Sequence, residues 1–474
     1  MIDQMSPARL AGMAIPESAL NRLRTELPER VFTPGDAGYD EARAGFGLSD
    51  LPSPDVVVTA TTAQDIIAAV NFARSQQLPV GVKATGHNFG FPYQGGLMIN
   101  TERMQGVTID PEQRTARVEA GVRWGAVVSA AQHYGLAPLK GSAPHVGVVG
   151  YSLFGGFGWL LRKYGAAVDS VVAAEVVTAD GQLRPASTTS HPELFWALCG
   201  ASGNFGVVTA LQFKLYPVSE IYGGALFFPL EQGHAVLTAY SAWVKTVPDE
   251  LTSAIVLARM PPLPSLPEAL RGRAVITIRA AYVGHEADGA RLLQPLHALK
   301  GLISDTFKLM PYTDARTISN DSVNPTPVRR STMMLKELSP ALIDALVQVA
   351  GIDATTAVKV VEIRHLGGAM TRVSAATSSF SQRYAPFLLH TVDLQLNAEQ
   401  AASAAHNTRT IGAVLQPYAT GGVLPSWLGD GDHGVERMRA GYSDDHYRRL
   451  QVLKAHYDPT NMFRLNHNIP PARR

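Results

Sequence analysis

The chain has 474 residues, 46% of them hydrophobic and 17% charged, which is apolar enough for a sizeable core and too weakly charged for a disordered protein. Lys+Arg 41 against Asp+Glu 40 leaves a net charge of +1, so no bulk field draws DNA, RNA or an anionic membrane. The single cysteine, Cys199, excludes an internal disulfide, a Cys-pair zinc site and a cysteine-ligated iron–sulfur cluster within one chain. The length allows two or three domains or one large two-domain enzyme. Apolar stretches break well before the roughly 18 residues that cross a bilayer. Residues 1–30 lack the basic start and apolar core of a signal peptide. The expectation is a cytoplasmic protein, a monomer or small homo-oligomer, with small-molecule partners and neither nucleic acid nor membrane.

The first regular pattern is a strand at 55–59, followed by Thr61-Thr62-Ala63-Gln64, which reads as a capping box with Gln64 three residues after Thr61. A helix follows at 63–75, its apolar face supplied by Ile66, Ile67, Ala69, Val70 and Ala73. A second strand at 79–82 completes a βαβ unit, predicted parallel with a right-handed crossover. Strands at 97–100 and 115–120, a helix at 124–133, a hairpin of 171–178 and 183–185 around Asp180-Gly181, a helix at 192–198 and a strand at 207–215 come next. Glycine is concentrated here: 20 of the 42 glycines lie between Gly81 and Gly206, as where backbone approaches a ligand.

After Pro217 the pattern changes. Strand-like segments at 274–281, 358–363 and 387–394 alternate with helix-like ones at 234–246, 288–298, 340–350 and 398–413, the mark of a second α+β unit. A helix at 445–456 precedes the tail Tyr457-Asp458-Pro459-Thr460-Asn461-Met462-Phe463-Arg464-Leu465-Asn466-His467-Asn468. No G-x-G-x-x-G follows a strand, and no P-loop, G-x-S-x-G elbow or H-E-x-x-H occurs. The 14 histidines show no metal-like spacing, so no metal is expected.

The loop Lys83-Ala84-Thr85-Gly86-His87-Asn88-Phe89-Gly90 leaves a strand at its carboxyl end, where ligands bind in α/β units. Taken alone it is equally a phosphate-cradling loop and an ordinary βα turn. It resembles the R-x-G-G-H-[SN] flavin loop of the vanillyl-alcohol oxidase superfamily, and most closely that of the berberine-bridge-enzyme-like oxidases. Three further stretches carry the resemblance in the same order: the glycine-laden run from Val146 to Gly165, Leu194–Leu198 with Gly203-Asn204-Phe205-Gly206, and the tail ending in Asn466-His467-Asn468. Leu366-Gly367-Gly368-Ala369 and Arg383 are similar to the family's substrate-domain pattern.

The resemblance implies an α+β two-domain fold of the vanillyl-alcohol-oxidase type. A discontinuous PCMH-type FAD-binding domain would span 1–219 and 421–474. An antiparallel-sheet substrate domain with helices on one face would span 220–420. It implies FAD bonded covalently to His87, with Lys83, Ala84, Thr85, Gly86, Asn88, Gly141, Ser142, Gly147, Gly150, Tyr151, Gly155, Gly156, Gly206, Val208, Asn466 and Asn468 around it. Many relatives add a second flavin bond from the cysteine of a G-x-C-P motif. Here the stretch is Gly141-Ser142-Ala143-Pro144, so a single link through His87 is expected, with Cys199 a small packing residue.

An FAD-dependent oxidase of this kind moves a hydride from an alcohol, sugar, amine or secondary metabolite to the flavin, and O2 reoxidises it to give H2O2. The family's usual tyrosine near residue 424 is absent from Leu424-Pro425-Ser426-Trp427. His390 is then the first candidate for the base; on strand 387–394 it shares a face with Leu388 and Val392, as either a satisfied core histidine or a tuned base. Tyr151 and Tyr442 are weaker candidates. Tyr93, Arg383 and Trp427 are candidate substrate contacts. A dehydrogenase using another acceptor, or a flavoprotein without redox function, is the competing reading.

Overall fold

A computed structural model describes residues 15–49, 51–87, 92–264, 266–429 and 434–473. Strands Val56–Thr59 and Val80–Lys83 flank helix Ala63–Ser75 as the apolar periodicity predicts. They are parallel but not neighbours, because Leu97–Asn100 pairs with both and lies between them. The helix cap also differs from the expectation. Thr62 is the N-cap, and its hydroxyl accepts from the Asp65 N–H at 3.2 Å. Asp65 rather than Gln64 reaches back to the Thr61 and Thr62 amides, because Arg30 holds that carboxylate at 2.7 Å.

A five-stranded antiparallel sheet packs beside this one, in the order Val107–Asp110, Thr115–Glu119, Val207–Lys214, Val171–Val177, Leu183–Ser187. The last two form the hairpin expected around Asp180-Gly181. Cys199 lies in this unit's core among Leu194, Phe195 and Ala201, where burial pushes its thiol pKa up and leaves it inert.

The chain from Glu220 to Leu394 builds an eight-stranded antiparallel sheet. Its functional half consists of neighbours Val360–His365, Phe387–Leu394 and Val328–Leu335. One face is aliphatic. Ile255, Ile278, Ile363 and Leu389 pack against helices Gly233–Trp243, Glu286–His297, Pro340–Ala350 and Ala398–Leu415. Each fully buried leucine or isoleucine there contributes about 2–3 kcal/mol. The other face turns toward the first unit. Strands Leu251–Arg259 and Val328–Leu335 were not among the expected elements. Among the described residues no helix is long and apolar enough to cross a membrane.

The tail returns across the first unit from helix Asp444–Tyr457. Lys454, fully buried, donates to the Asn204 carbonyl at 2.6 Å, the Asp458 carboxylate at 2.7 Å and the Phe463 carbonyl at 3.0 Å. The Asn204 side chain donates to the His467 carbonyl at 3.1 Å and accepts from the Ile469 amide at 2.8 Å.

Candidate active site

A cleft of about 400 Å³ opens where the loop after Val80–Lys83, the glycine run, the tail and the polar face of the large sheet meet. Its floor is built from small residues. At Gly150 and Gly203 a Cβ would meet nothing within 4 Å, so the backbone there faces open space. Gly206 (φ 157°) is required for a different reason: a Cβ would run into the Val177 carbonyl.

His87 lines the cleft, stacked on Phe46 with ring centroids 4.0 Å apart and 4.7 Å from the ring of His145. Burial, then the neighbouring His145 and Arg330, lower its pKa to about 3, so the imidazole is neutral at physiological pH. Its Nε2 is buried with no hydrogen-bond partner. The Tyr151 hydroxyl, the Asn466 Oδ1 and both ring nitrogens of His145 share that condition. Orphaned buried polar atoms around a cleft floored with glycine are what a large polar ligand leaves behind, and the residues therefore fit FAD.

The opposite wall comes from the large sheet. In its register Glu362 and Thr332 both lie opposite His390, Arg364 opposite Leu388, and Arg330 opposite Val392. These seven pleat positions share one face. His390 meets Trp427 edge-on at 5.1 Å, and the Arg364 guanidinium lies 4.8 Å over the same indole. Arg330 donates to the His87 carbonyl at 3.3 Å, linking the two walls. Burial, then Arg364 and Arg330, lower the His390 pKa to about 3.

Lys83, Ala84, Thr85, Gly86, His87 and Ala143 all line the cleft, as do Gly141, Ser142, Gly147, Gly150, Tyr151 and Gly156. So do Gly206, Val208, Asn466, His390 and Trp427. Lys83 lines it by its backbone; its ammonium turns away to the Ala42 carbonyl and Glu102, both at 3.4 Å. Asn88 lies outside the described residues.

Five expected positions are not in the cleft. Gly155 (φ 113°) makes a turn against the Phe380 ring. Asn468 does not line the cleft, though its Oδ1 is likewise buried with no hydrogen-bond partner. Tyr93 is buried on the far side of the parallel sheet, in a cluster with Tyr39, Val57, Met98 and Leu465. Arg383 is 1% exposed and gives both guanidinium ends to Asp169, at 2.8 and 3.0 Å, which leaves it no reach toward a substrate. Tyr442 donates to the Gly200 carbonyl at 2.8 Å from inside the core and has no path to a reacting atom. Tyr151 is in place, but burial raises its pKa, so its phenol stays protonated.

Arg330, Arg364, His145 and Phe46 were not anticipated. Arg364 carried a readable signal, since Val361-Glu362-Ile363-Arg364 alternates apolar and charged residues at the strand period. Phe46 and His145 have none, being brought to His87 only by the fold. Among the described residues no three His, Cys, Asp or Glu side chains gather as metal ligands.

Residues 54–187 match the FAD binding domain family model, and residues 428–470 match the berberine and berberine-like model. An FAD-linked oxidoreductase of Bacillus subtilis, YgaK, is 29% identical over 464 residues, covering 95% of this chain and 99% of that protein. The (R)-6-hydroxynicotine oxidase of Paenarthrobacter nicotinovorans is 27% identical, covering 93% and 96%. Among solved structures, xylooligosaccharide oxidase from Myceliophthora thermophila in complex with xylobiose superposes with a TM-score of 0.82 at 22% identity, covering 96% of this chain and 100% of that one. That likeness establishes the two-domain oxidase fold.

Proposed function

Because the chain belongs to the FAD-linked oxidoreductases of the berberine-bridge-enzyme-like family, we propose that it is an oxidase of a small organic substrate, with FAD held covalently through His87 alone and O2 as the acceptor. When bound, FAD supplies a two-electron acceptor that takes a hydride from a substrate carbon and is regenerated by O2, which leaves as H2O2. The rest falls to the chain. His87 is neutral and carries a buried Nε2 with no other partner, which is the state a nucleophilic imidazole needs, and this observation carries the reading. Phe46 and His145 fix its ring plane. Ala143 offers no thiol for a second bond.

His390 is neutral and lines the wall facing the cofactor loop, so it accepts a hydrogen bond, and then the proton, from the substrate O–H or N–H. Trp427 and the apolar residues Val149, Phe154 and Phe157 exclude water from the same space. In this reading 220–420 is the substrate unit, 1–219 with 421–474 the cofactor unit, and the enzyme acts in the cytoplasm.

The test is acid precipitation of the flavin-replete protein followed by flavin fluorescence on a denaturing gel. Fluorescence should stay with the polypeptide and be lost in His87→Ala. A colourless wild-type polypeptide overturns the tether. Anaerobic bleaching by a substrate with no peroxide on admitting air makes the protein a dehydrogenase.

A further inference from the structure

We propose that the substrate is a neutral aromatic ring carrying a single carbinol hydroxyl, with the ring stacked on Trp427 and the hydroxyl held by His390 beside the indole. This rests on the flavin reading above and deepens it. Its first support is how Trp427 is fixed. Its carbonyl accepts from the Thr332 hydroxyl at 2.9 Å, and its amide donates to the Leu424 carbonyl at 2.9 Å, so the turn Pro425–Trp427 is pinned to the large sheet. The Arg364 guanidinium lies over the indole at 4.8 Å, and the His390 ring meets it at 5.1 Å and 82°. Arg364 and His390 project from one face of the sheet, so both contacts fall on the side of the indole turned toward it. The opposite side is left to the cleft that Trp427 lines. Arg364 is itself held, by Glu362 at 3.2 Å and the Phe157 carbonyl at 3.3 Å, and serves as backing for the indole. With one cation already drawing on the ring electrons, a second on the other side gains little, so a neutral ring is favoured.

The second support is the inventory of acceptors. Among the described residues, the sheet and the turn contribute Arg330, Arg364, His390, Ser426, Trp427 and Leu428 to this wall, with no Asp, Glu, Asn or Gln. Guanidinium and indole only donate, so the side-chain acceptors are the His390 ring and the Ser426 hydroxyl. No protein group hydrogen-bonds either ring nitrogen of His390, and neither is among the buried unpartnered atoms. A sugar brings a hydroxyl on nearly every carbon, and each buried O–H without an acceptor carries a desolvation penalty. A ring with one hydroxyl needs one acceptor, and His390 supplies it. Val149, Phe154, Phe157 and Leu428 complete a lining suited to a flat apolar body.

The two supports meet in one geometry. A ring lying on the indole, with its carbinol at the rim, presents the O–H to His390. Aryl carbinol and O2 then become aryl aldehyde and H2O2, the hydroxyl proton passing to His390.

Flavin content is scored first by absorbance, which tests the flavin reading separately. The flavin-replete protein is then titrated calorimetrically at pH 7 with 2-phenyl-2-propanol, 2-cyclohexyl-2-propanol and methyl β-glucoside. The first two are tertiary carbinols without a transferable C–H, so they bind without turnover and differ only in the ring. The aryl carbinol should bind about three- to tenfold more tightly than its saturated counterpart, and the glycoside should give no heat. Trp427→Leu should bring the two carbinols within about twofold of each other with flavin content unchanged, and Trp427→Phe should keep the preference. His390→Phe should weaken both carbinols alike and preserve their ratio. Equal binding of the two carbinols in the wild type, binding of the glycoside, or a preference that survives in Trp427→Leu overturns the proposal. Should Trp427→Leu fail to fold, the wild-type series and Trp427→Phe still decide.

Discussion

Lys454→Met removes a cation on which the tail depends. The ammonium is 0% exposed and has three acceptors, the Asp458 carboxylate and the carbonyls of Asn204 and Phe463. Deleting one partner of a buried ion pair costs about 3–5 kcal/mol, because the other charge stays buried. Two terms bracket that figure here. Asp458 keeps the Met462 and Phe463 amides at 2.7 and 2.9 Å, which softens its loss. Two carbonyls lose a donor, which adds about 1 kcal/mol each. A net cost near 4 kcal/mol follows. With about 2.1 cal/mol/K per residue, 474 residues give an unfolding entropy of about 1 kcal/mol/K, so a cooperative transition should fall by about 4 °C. Circular dichroism melts would measure it. Hydrogen exchange of 458–470 should rise well above that of the large sheet, and flavin should dissociate sooner in a His87→Ala background, since Asn466 lies in the loosened segment. Lys454→Met/Asp458→Asn should recover about half the loss. A single variant within 1 kcal/mol of wild type, with unchanged tail exchange, would refute the assignment of Lys454 as the tail anchor.

Three further outcomes follow. Tyr442→Phe should cost about 1–2 kcal/mol through the lost bond to Gly200 and leave turnover intact, as steady-state kinetics would show; a large fall in kcat would return Tyr442 to the chemistry. Arg383→Met leaves Asp169 buried without its partner, so urea titration should register about 3–5 kcal/mol with ligand selectivity unaltered. His365, buried beside Arg162 at 3.1 Å, has its pKa lowered from 6.5 to about 3 by burial first and Arg162 second. The unfolded chain therefore binds a proton below pH 6.5 that the native state refuses until about pH 3. Stability should fall as pH drops through that window, by about 3–5 kcal/mol from this group. Denaturant melts from pH 7 to 4 should show a shallower decline for His365→Gln, and parallel curves would exclude the mechanism.

What could be read from the residues follows the reach of each signal. Helix Ala63–Ser75 was legible because its apolar spacing is local, whereas its cap was misassigned by one residue because Arg30, remote in sequence, chooses Asp65. The hairpin around Asp180-Gly181 was legible from its turn. Strand Val328–Leu335 was not, since Val-Arg-Arg-Ser-Thr lacks an apolar alternation; its Arg330 lines the cleft. The insertion of Leu97–Asn100 between two parallel strands leaves no local mark, because pairing order is decided by the whole sheet. At the cleft the lining loop from Lys83 to His87 was legible and the wall from the large sheet mostly was not: Tyr93, Arg383 and Tyr442 are polar side chains with buried structural duties, indistinguishable in sequence from functional ones.

The pleat connects these observations. A strand with two-residue periodicity places one set of side chains on the helices and the other on the cleft. In Val360–His365 the first set is Val361 and Ile363, and on the other face Arg364 lines the cleft. In Phe387–Leu394, Leu389 packs on the helices while His390 opens to the cleft. A one-residue slip of either strand would bury a guanidinium among isoleucines, at a cost of several kcal/mol. The aliphatic face therefore enforces the register of the reactive face. Residues packed on the helices, Ile363 and Leu389 among them, thus decide that Arg364 and His390 are presented to the cleft.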